Sequence, residues 1–155
     1  MSLSLLKSCP LFFELYDKEI EKIVKHCSVY TFKDGDRIIK DGEEGDQIFV
    51  LLDGKAMVEK DTGKTRVKIQ PLRSGDVFGE MSLMGEKTRA ADIVSSGDSH
   101  VLEIRYEKIF ELFQKEPRIF GLLLFNISRL ISRRLSASNS IIVKLQKELG
   151  RTKAA

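Results

Sequence analysis

The sequence predicts a mainly β fold, a barrel or jelly roll flanked by helices, and three observations support this class. From about residue 28 to residue 105, short runs rich in Ile, Val, Phe and Thr are separated by Asp-Gly, Glu-Gly, Thr-Gly and Ser-Gly turn signals. Before and after this region, apolar residues recur at helical intervals. A length of 155 residues with 42% hydrophobic residues suits one globular domain with a buried core. We therefore expect a single domain over residues 1–155.

Residues 1–27 are predicted to form N-terminal helices. Pro10 separates the leading leucines from later apolar residues, and Asp17 is a candidate N-cap for the helix that follows. Glu19 and Glu21 then lie near the positive end of that helix. The apolar residues at helical spacing are Leu11, Phe12, Leu15, Ile20, Ile23 and Val24.

Residues 28–105 are predicted to form the β region. Within it, the polar segment 60–64 contains a glycine and is expected to join the runs 56–59 and 65–70 as a hairpin. A short, glycine-led helical turn interrupts the strand pattern over residues 78–92. Such an interruption of a β scaffold is typical of a binding loop.

Residues 106–150 are predicted to form two C-terminal helices. The first ends near Pro117, and the second runs from about residue 118 to residue 149. The first helix carries the apolar residues Ile109, Phe110, Leu112 and Phe113, and one stripe of the second, expected to face the barrel, consists of Leu123, Ile127 and Leu130.

A second stripe of the long helix follows a heptad repeat. This outer stripe consists of Leu124, Ser128, Ile131, Leu135, Ser138, Ile142, Leu145 and Leu149. We expect it to form a homodimer, because a closed barrel has no surface left to cover it. The alternative is a helix that folds back on its own domain.

The segment with the clearest chemistry is Phe-Gly-Glu-Met-Ser-Leu-Met at residues 78–84, followed five residues later by Arg-Ala-Ala at residues 89–91. Glu80 can accept a hydrogen bond from a ribose hydroxyl, and Arg89 can offer a planar fork of donors to phosphate oxygens. Gly79 allows close approach of the backbone, and the amides of a short helix near Glu80 can point at the anion. The spacing predicts a site for a small molecule that carries both groups.

This segment resembles the phosphate-binding cassette of cyclic nucleotide-binding domains, which include regulatory subunits of cyclic AMP-dependent protein kinase and catabolite-activator-type regulators. The resemblance extends over about residues 5–135. Upstream, residues 32–39 and 41–50 resemble the entry strands and glycine turns of the family, and residues 52–58 resemble its central hairpin. It implies an eight-stranded jelly-roll barrel (a double-stranded β-helix) with N-terminal helices and a long C-terminal helix.

The resemblance also implies the ligand-binding residues, which are Gly79, Glu80, Met81, Ser82, Arg89, Ala90, Ala91 and Ile69. The amides of Gly79 and Ser82 are expected to donate to the phosphate, the small side chains of Ala90 and Ala91 to leave room for it, and Ile69 to line the base. Ala90 has no hydroxyl, whereas family members that prefer cyclic GMP often have threonine there. Cyclic AMP is therefore the expected ligand, cyclic GMP the alternative, and no other cofactor is expected.

Two positions depart from the family pattern. Thr88 replaces a common proline and is expected to loosen the cassette loop. Asp92 replaces a common threonine or serine. If Asp92 points inward, it adds negative charge near the phosphate and competes for Arg89; if strand alternation turns it outward, it has no effect on the ligand.

Other function classes find little support in the composition. No apolar run reaches the length of a membrane span or a secretory signal, so we expect a cytoplasmic protein, with Cys9 and Cys27 reduced. The two histidines, His26 and His100, do not have metal-ligand or catalytic spacing, so neither an enzyme nor a metal site is expected. From Pro117 onward the chain has eight basic residues and one acid, but no recognition helix follows, so nucleic acid is not the expected partner.

The predicted function is a regulatory sensor that binds a cyclic nucleotide and signals through its C-terminal helix to a dimer mate or a downstream protein. The alternative is a ligand-independent interaction or dimerisation module that keeps the fold but has lost its affinity for cyclic nucleotides, as the departures at Thr88 and Asp92 would allow.

Overall fold

The computed structural model describes residues 3–85 and 87–154, beginning with short helices. Helix α1 (Leu3–Ser8) is followed by a 3₁₀ turn (Pro10–Phe12) and by α2 (Asp17–Val24). The N-cap of α2 is Tyr16, so the prediction of Asp17 as the cap is wrong by one residue. The cap forms at Tyr16 because its backbone N–H donates to the Glu19 carboxylate at 2.8 Å, which satisfies a donor at the start of the helix.

Eight strands follow, as predicted, and they span residues 28–105. In chain order they are β1 (Ser28–Phe32), β2 (Arg37–Ile39), β3 (Gln47–Asp53), β4 (Lys55–Asp61), β5 (Arg66–Arg73), β6 (Val77–Phe78), β7 (Asp92–Ser95) and β8 (Ser99–Arg105). They form two four-stranded antiparallel sheets, ordered β1-β8-β3-β6 and β2-β7-β4-β5. The mainly β class is confirmed, whereas closure of the two sheets into a barrel is not.

Of the two predicted hairpins, one is present in the structure and the other is not. The predicted β4–β5 hairpin is confirmed, with Asp61 opposite Arg66 at its tip. The prediction of a central hairpin over residues 52–58 is wrong, because β3 and β4 belong to different sheets. The turn at Gly54 therefore passes the chain from one sheet to the other rather than reversing it within one sheet.

Strand β3 lies at the centre of the packing. Ile48 and Val50 point to a core shared with the N-terminal and C-terminal helices, and Phe49 and Leu51 point to a second core between the sheets. Successive side chains of a strand point to opposite faces, so a strand covered on both faces needs the continuous apolar run found here.

The C-terminal part is helical, as predicted. Helix α3 (Met81–Met84) lies within the β region, and α4 (Tyr106–Lys115) and α5 (Pro117–Ala154) follow β8. The predicted inner stripe of α5 packs against the core, with Leu123 and Ile127 fully buried. Within residues 3–85 and 87–154, no helix has the length and apolar character needed to cross a membrane.

The base of α5 is fixed to the N-terminal segment by polar contacts. The buried amide of Asn126 donates to the carbonyl oxygens of Leu11 at 3.0 Å and Phe13 at 2.8 Å, and Arg118 forms an ion pair with Glu19. Beyond Ile131 the side chains of α5 become mostly exposed. The helix thus has an anchored first half and a projecting second half.

Candidate cyclic nucleotide site

A cavity of about 220 Å³ lies between the second sheet, the cassette and α5. Seven of the eight predicted ligand residues line it, and these are Gly79, Glu80, Met81, Ser82, Arg89, Ala90 and Ala91. The cavity exists because β6, α3 and β7 are consecutive along the chain, so that the cassette folds over the apolar surface of the sheet beside it. The residues that the sequence grouped by spacing are therefore together in space.

Ile69 is the predicted residue that the structure places elsewhere. It is 54% exposed and does not line the cavity, whereas Gln70 and Leu72 of the same strand do. Strand alternation explains the difference, because Gln70 and Leu72 share the face toward the cavity and the adjacent Ile69 points to the other face. Ile69 is also unpaired at a bulge, since Val58 pairs with Gln70 and Glu59 pairs with Lys68.

The guanidinium of Arg89 is held from several sides. Its Nη1 donates to the carbonyl oxygen of Gly79 at 2.9 Å and approaches the Ser82 hydroxyl at 3.4 Å. Its Nη2 donates to both the backbone oxygen of Gln47 at 2.9 Å and the side-chain oxygen at 3.0 Å. The side chain is only 5% exposed, and no carboxylate of residues 3–85 or 87–154 lies within ion-pair distance of it. A buried cation whose described partners are all neutral acceptors is electrostatically prepared to receive an anion.

Two glycines make room for this arginine. A Cβ atom on Gly45 would lie 2.0 Å from Arg89 Nε, and one on Gly79 would lie 2.8 Å from Nη1. Gly79 also has a φ of 80°, which few residues other than glycine adopt. The sequence identified Gly45 only as a turn residue, and its contact with an arginine 44 positions later left no local signal.

Glu80 is almost fully buried, at 1% exposure, and its partner is Arg134 of α5. Arg134 Nη1 forms an ion pair with a carboxylate oxygen of Glu80, and Nη2 donates to the carbonyl oxygen of Val77. Arg134 itself lines the cavity. The long helix therefore reaches the carboxylate that we expected to bind ribose, a contact that sequence reasoning missed because the residues are 54 positions apart.

Tyr106, the first residue of α4, also forms a hydrogen bond with the cassette. Burial raises the pKa of its phenol above the ordinary value, against a smaller lowering by Arg89, so the hydroxyl stays protonated at neutral pH. That hydroxyl donates to the carbonyl oxygen of Gly79 at 2.6 Å. The Gly79 carbonyl is thus fixed by Arg89 and Tyr106 together, which orients the peptide unit that it shares with the Glu80 amide.

The inward interpretation of Asp92 is wrong, and its position away from the cavity agrees with the outward interpretation, although the side chain is buried. Its side chain is buried but does not line the cavity, and its Oδ1 accepts a hydrogen bond from the Asp41 amide at 2.8 Å. Arg37 and Arg66 lie 3.5 Å and 3.9 Å from its carboxylate oxygens. Asp92 therefore compensates two arginines outside the site and does not compete for Arg89.

The loop before Arg89 is anchored although Thr88 replaces proline. The Gly45 amide donates to the Lys87 carbonyl at 3.0 Å, and the Arg89 amide donates to the Glu43 carbonyl at 2.8 Å, with Thr88 bridged to Glu44 between them. Backbone pairing to residues 43–45 supplies a constraint that a proline ring would otherwise supply. Glu86, three residues before Arg89, lies outside the described residues.

Comparison with known families decides how this cavity should be understood. The family model for the cyclic nucleotide-binding domain matches residues 29–116, which is more than half of the chain. The chain belongs to the cyclic nucleotide-binding domain family. The match contains the whole cassette and the strands around it, so the resemblance found in the sequence is confirmed.

Individual relatives agree with this assignment. The domain is 32% identical over 92 residues to a cAMP-dependent protein kinase regulatory subunit from Mucor circinelloides, covering 59% of this chain and 22% of that protein. It is 28% identical over 131 residues to the cAMP-activated global transcriptional regulator CRP of Pasteurella multocida, covering 83% of this chain and 61% of the regulator. The chain thus spans about a fifth of the fungal subunit's length.

A solved structure shows the same fold over most of the domain. The Thermus thermophilus catabolite activator protein superposes with a TM-score of 0.76 at 26% identity, covering 88% of this chain and 63% of that one. The superposed part of the chain is longer than the segment that the family model matches, so it includes helices that precede and follow the β region.

Proposed function

We propose that this domain binds cyclic AMP as a regulatory, non-catalytic sensor and reports occupancy through α5. The observation that carries the proposal is the buried pair of opposite charges on one cavity, Glu80 and Arg89, with Arg134 of α5 contacting the first of them. The relatives named above are regulated by or dependent on cyclic AMP by name, which supports the choice of ligand class.

The nucleotide would use the two charged ends of the cassette. A ribose hydroxyl would donate to Glu80, and the cyclic phosphate would accept from Arg89 and from cassette amides. Ala90 and Ala91 line the cavity without filling it. The absence of a hydroxyl at Ala90 favours cyclic AMP over cyclic GMP, which is the alternative ligand.

Arg134 supplies the link to α5. In the structure Arg134 forms an ion pair with the Glu80 carboxylate, so a ribose hydroxyl that binds this carboxylate must displace Arg134 or share the carboxylate with it. A ligand shifts a conformational equilibrium only when it binds one arrangement better than another. Competition for Glu80 gives the nucleotide that preference, favouring an arrangement in which the helix is released from the cassette.

The outer stripe of α5 supports a homodimer as the receiver of the signal. Leu135, Ile142, Leu145 and Leu149 are all more than half exposed, whereas Leu124 and Ile131 are partly covered by the core of the domain. Exposed leucine and isoleucine residues at heptad spacing are typical of a parallel helix pair. The dimer would therefore use the projecting half of α5, and a downstream protein is the other candidate receiver.

The same ion pair favours the second candidate, a module in which Arg134 keeps the site closed and no nucleotide binds. Calorimetric titration with cyclic AMP, cyclic GMP and a cyclic dinucleotide distinguishes the two. Saturable binding of cyclic AMP, tightest of the three, is the expected result. Absence of heat with all three, for a folded chain, would reject the sensor and leave the closed module.

A further inference from the structure

A second cavity, about 420 Å³ in volume, lies between α1, the 3₁₀ turn and α5. None of its lining residues also lines the nucleotide cavity. Its volume is within the range of roughly 300–1,000 Å³ that is usual for small-molecule sites. Its chemistry differs from that of the nucleotide cavity, because its ionised lining residues are all cations.

Among the residues that the structure describes, three basic side chains line this cleft, namely Lys7, Arg129 and Arg133, and no acidic side chain does. Lys7 pairs with Asp17 at 2.8 Å and Arg129 with Glu14 at 3.4 Å, but both carboxylates lie outside the lining and are about half exposed. The side chain of Arg133 forms no ion pair or hydrogen bond with residues 3–85 or 87–150. Two of the three cations are thus paired with carboxylates outside the lining, and Arg133 contributes one positive charge that no described residue compensates.

The cleft is rigid on the side of Arg129. The guanidinium of Arg129 stacks on Phe125, with its carbon 4.1 Å from the ring centroid, and approaches Phe13 at 5.6 Å. It also donates to Asn126 Oδ1 at 3.3 Å, and Asn126 is 99% buried and fixed by two backbone carbonyls. A preorganised arginine loses less entropy when it binds an anion than a free one does.

The remaining titratable group in the lining adds no opposing charge. Burial raises the pKa of the Cys9 thiol to about 11, so the thiol stays neutral at physiological pH. Ser8 completes the polar lining near Lys7.

We propose that this cleft binds a small anion that carries phosphate groups. Guanidinium forks match phosphate oxygens in pairs, so a phosphate with several oxygens can accept from Arg129 and Arg133 together, whereas a single carboxylate has only two oxygens to share. The inference does not depend on nucleotide binding, because the two cavities share no residue.

The test uses the full chain and inorganic pyrophosphate as the probe. Backbone amide shifts measured by NMR during the titration locate the binding, and we expect saturable shifts at Lys7, Ser8 and Asn126. Arg133→Gln should weaken the affinity about tenfold, since a hydrogen-bonded charge is lost. The matched control is Arg73→Gln on β5, which makes the same charge change at an exposed arginine outside both cavities, and it should leave the affinity unchanged.

A parallel assay separates two sources of phosphate. Co-sedimentation with phosphatidylcholine vesicles that contain or lack phosphatidic acid tests a lipid headgroup. Pyrophosphate binding without vesicle binding indicates a soluble ligand, and vesicle binding that Arg133→Gln abolishes indicates a headgroup. If neither probe binds, or if shifts occur only at Gly79, Ser82 and Ala90, or if Arg133→Gln and Arg73→Gln act equally, the proposal is wrong. None of these results tests nucleotide binding, which the cyclic AMP titration measures independently.

Discussion

Replacing Arg134 with Gln should tighten the binding of cyclic AMP. In the structure Arg134 is 29% exposed and Glu80 is 1% exposed, so their ion pair is largely protected from solvent. The substitution removes the pair and weakens the hydrogen bond to the Val77 carbonyl, and both contacts belong to the arrangement without nucleotide. The variant therefore loses stability in the free arrangement only.

The size of the effect follows from the contact that is lost. A hydrogen bond to a charged group contributes about 1.5–3 kcal/mol. If the ribose hydroxyl replaces Arg134 at Glu80, this free energy no longer opposes binding. The dissociation constant should then fall by roughly 10- to 100-fold.

Calorimetric titration of the wild type, Arg134→Gln and Lys144→Gln measures this difference. Lys144→Gln is the matched control, because it removes one positive charge from the same helix but lines neither cavity. Its affinity for cyclic AMP should equal that of the wild type. Weaker or unchanged binding in Arg134→Gln would refute the competition and show that Arg134 supports the nucleotide or ignores it.

Three further variants test other parts of the structure. Gly45→Ala should lower the affinity for cyclic AMP at least about tenfold in a titration, because a methyl group at this position displaces Arg89. The control is Gly121→Ala, whose added methyl group would have no atom within 4 Å, and it should leave the affinity unchanged. Asp92→Ala should reduce the free energy of unfolding in urea by about 1–3 kcal/mol, because the Asp41 amide and Arg37 lose their partner and Arg66 keeps only Glu59. The affinity for cyclic AMP should stay unchanged; a large loss of affinity with normal stability would contradict this. The pair Leu135→Glu and Ile142→Glu should give monomers by light scattering that still bind nucleotide, and a wild type that is monomeric at high concentration would rule out the dimer.

The features predicted from sequence are those that depend on neighbours along the chain. Strand alternation over residues 28–105, the β4–β5 hairpin and the short helix after Glu80 all follow from local periodicity and glycine spacing. The cassette could be found because its carboxylate and guanidinium are only nine positions apart.

The features that sequence reasoning missed depend on contacts between distant segments. Gln47 and Arg89 are 42 positions apart and Glu80 and Arg134 are 54 apart, so no spacing rule relates them. The error at Ile69 is an error of one residue in register, because strand alternation places Gln70 and Leu72 on the cavity face and Ile69 on the other. A glycine turn such as that at Gly54 looks the same in sequence whether the chain reverses within one sheet or crosses to another.

The central claim is that α5 moves when the nucleotide cavity is filled, and a distance measurement tests it directly. Spin labels on Lys68→Cys of β5 and Ser140→Cys of α5 report the separation of helix and sheet by pulsed electron resonance, with labelled chain diluted in unlabelled chain so that distances within one chain dominate. Burial raises the pKa of Cys9 to about 11 and that of Cys27 to about 12, so labelling at neutral pH favours the introduced thiols. We predict that saturating cyclic AMP shifts the distance distribution, and that Arg134→Gln shifts it part of the way without nucleotide. An identical distribution with and without bound cyclic AMP would contradict the account.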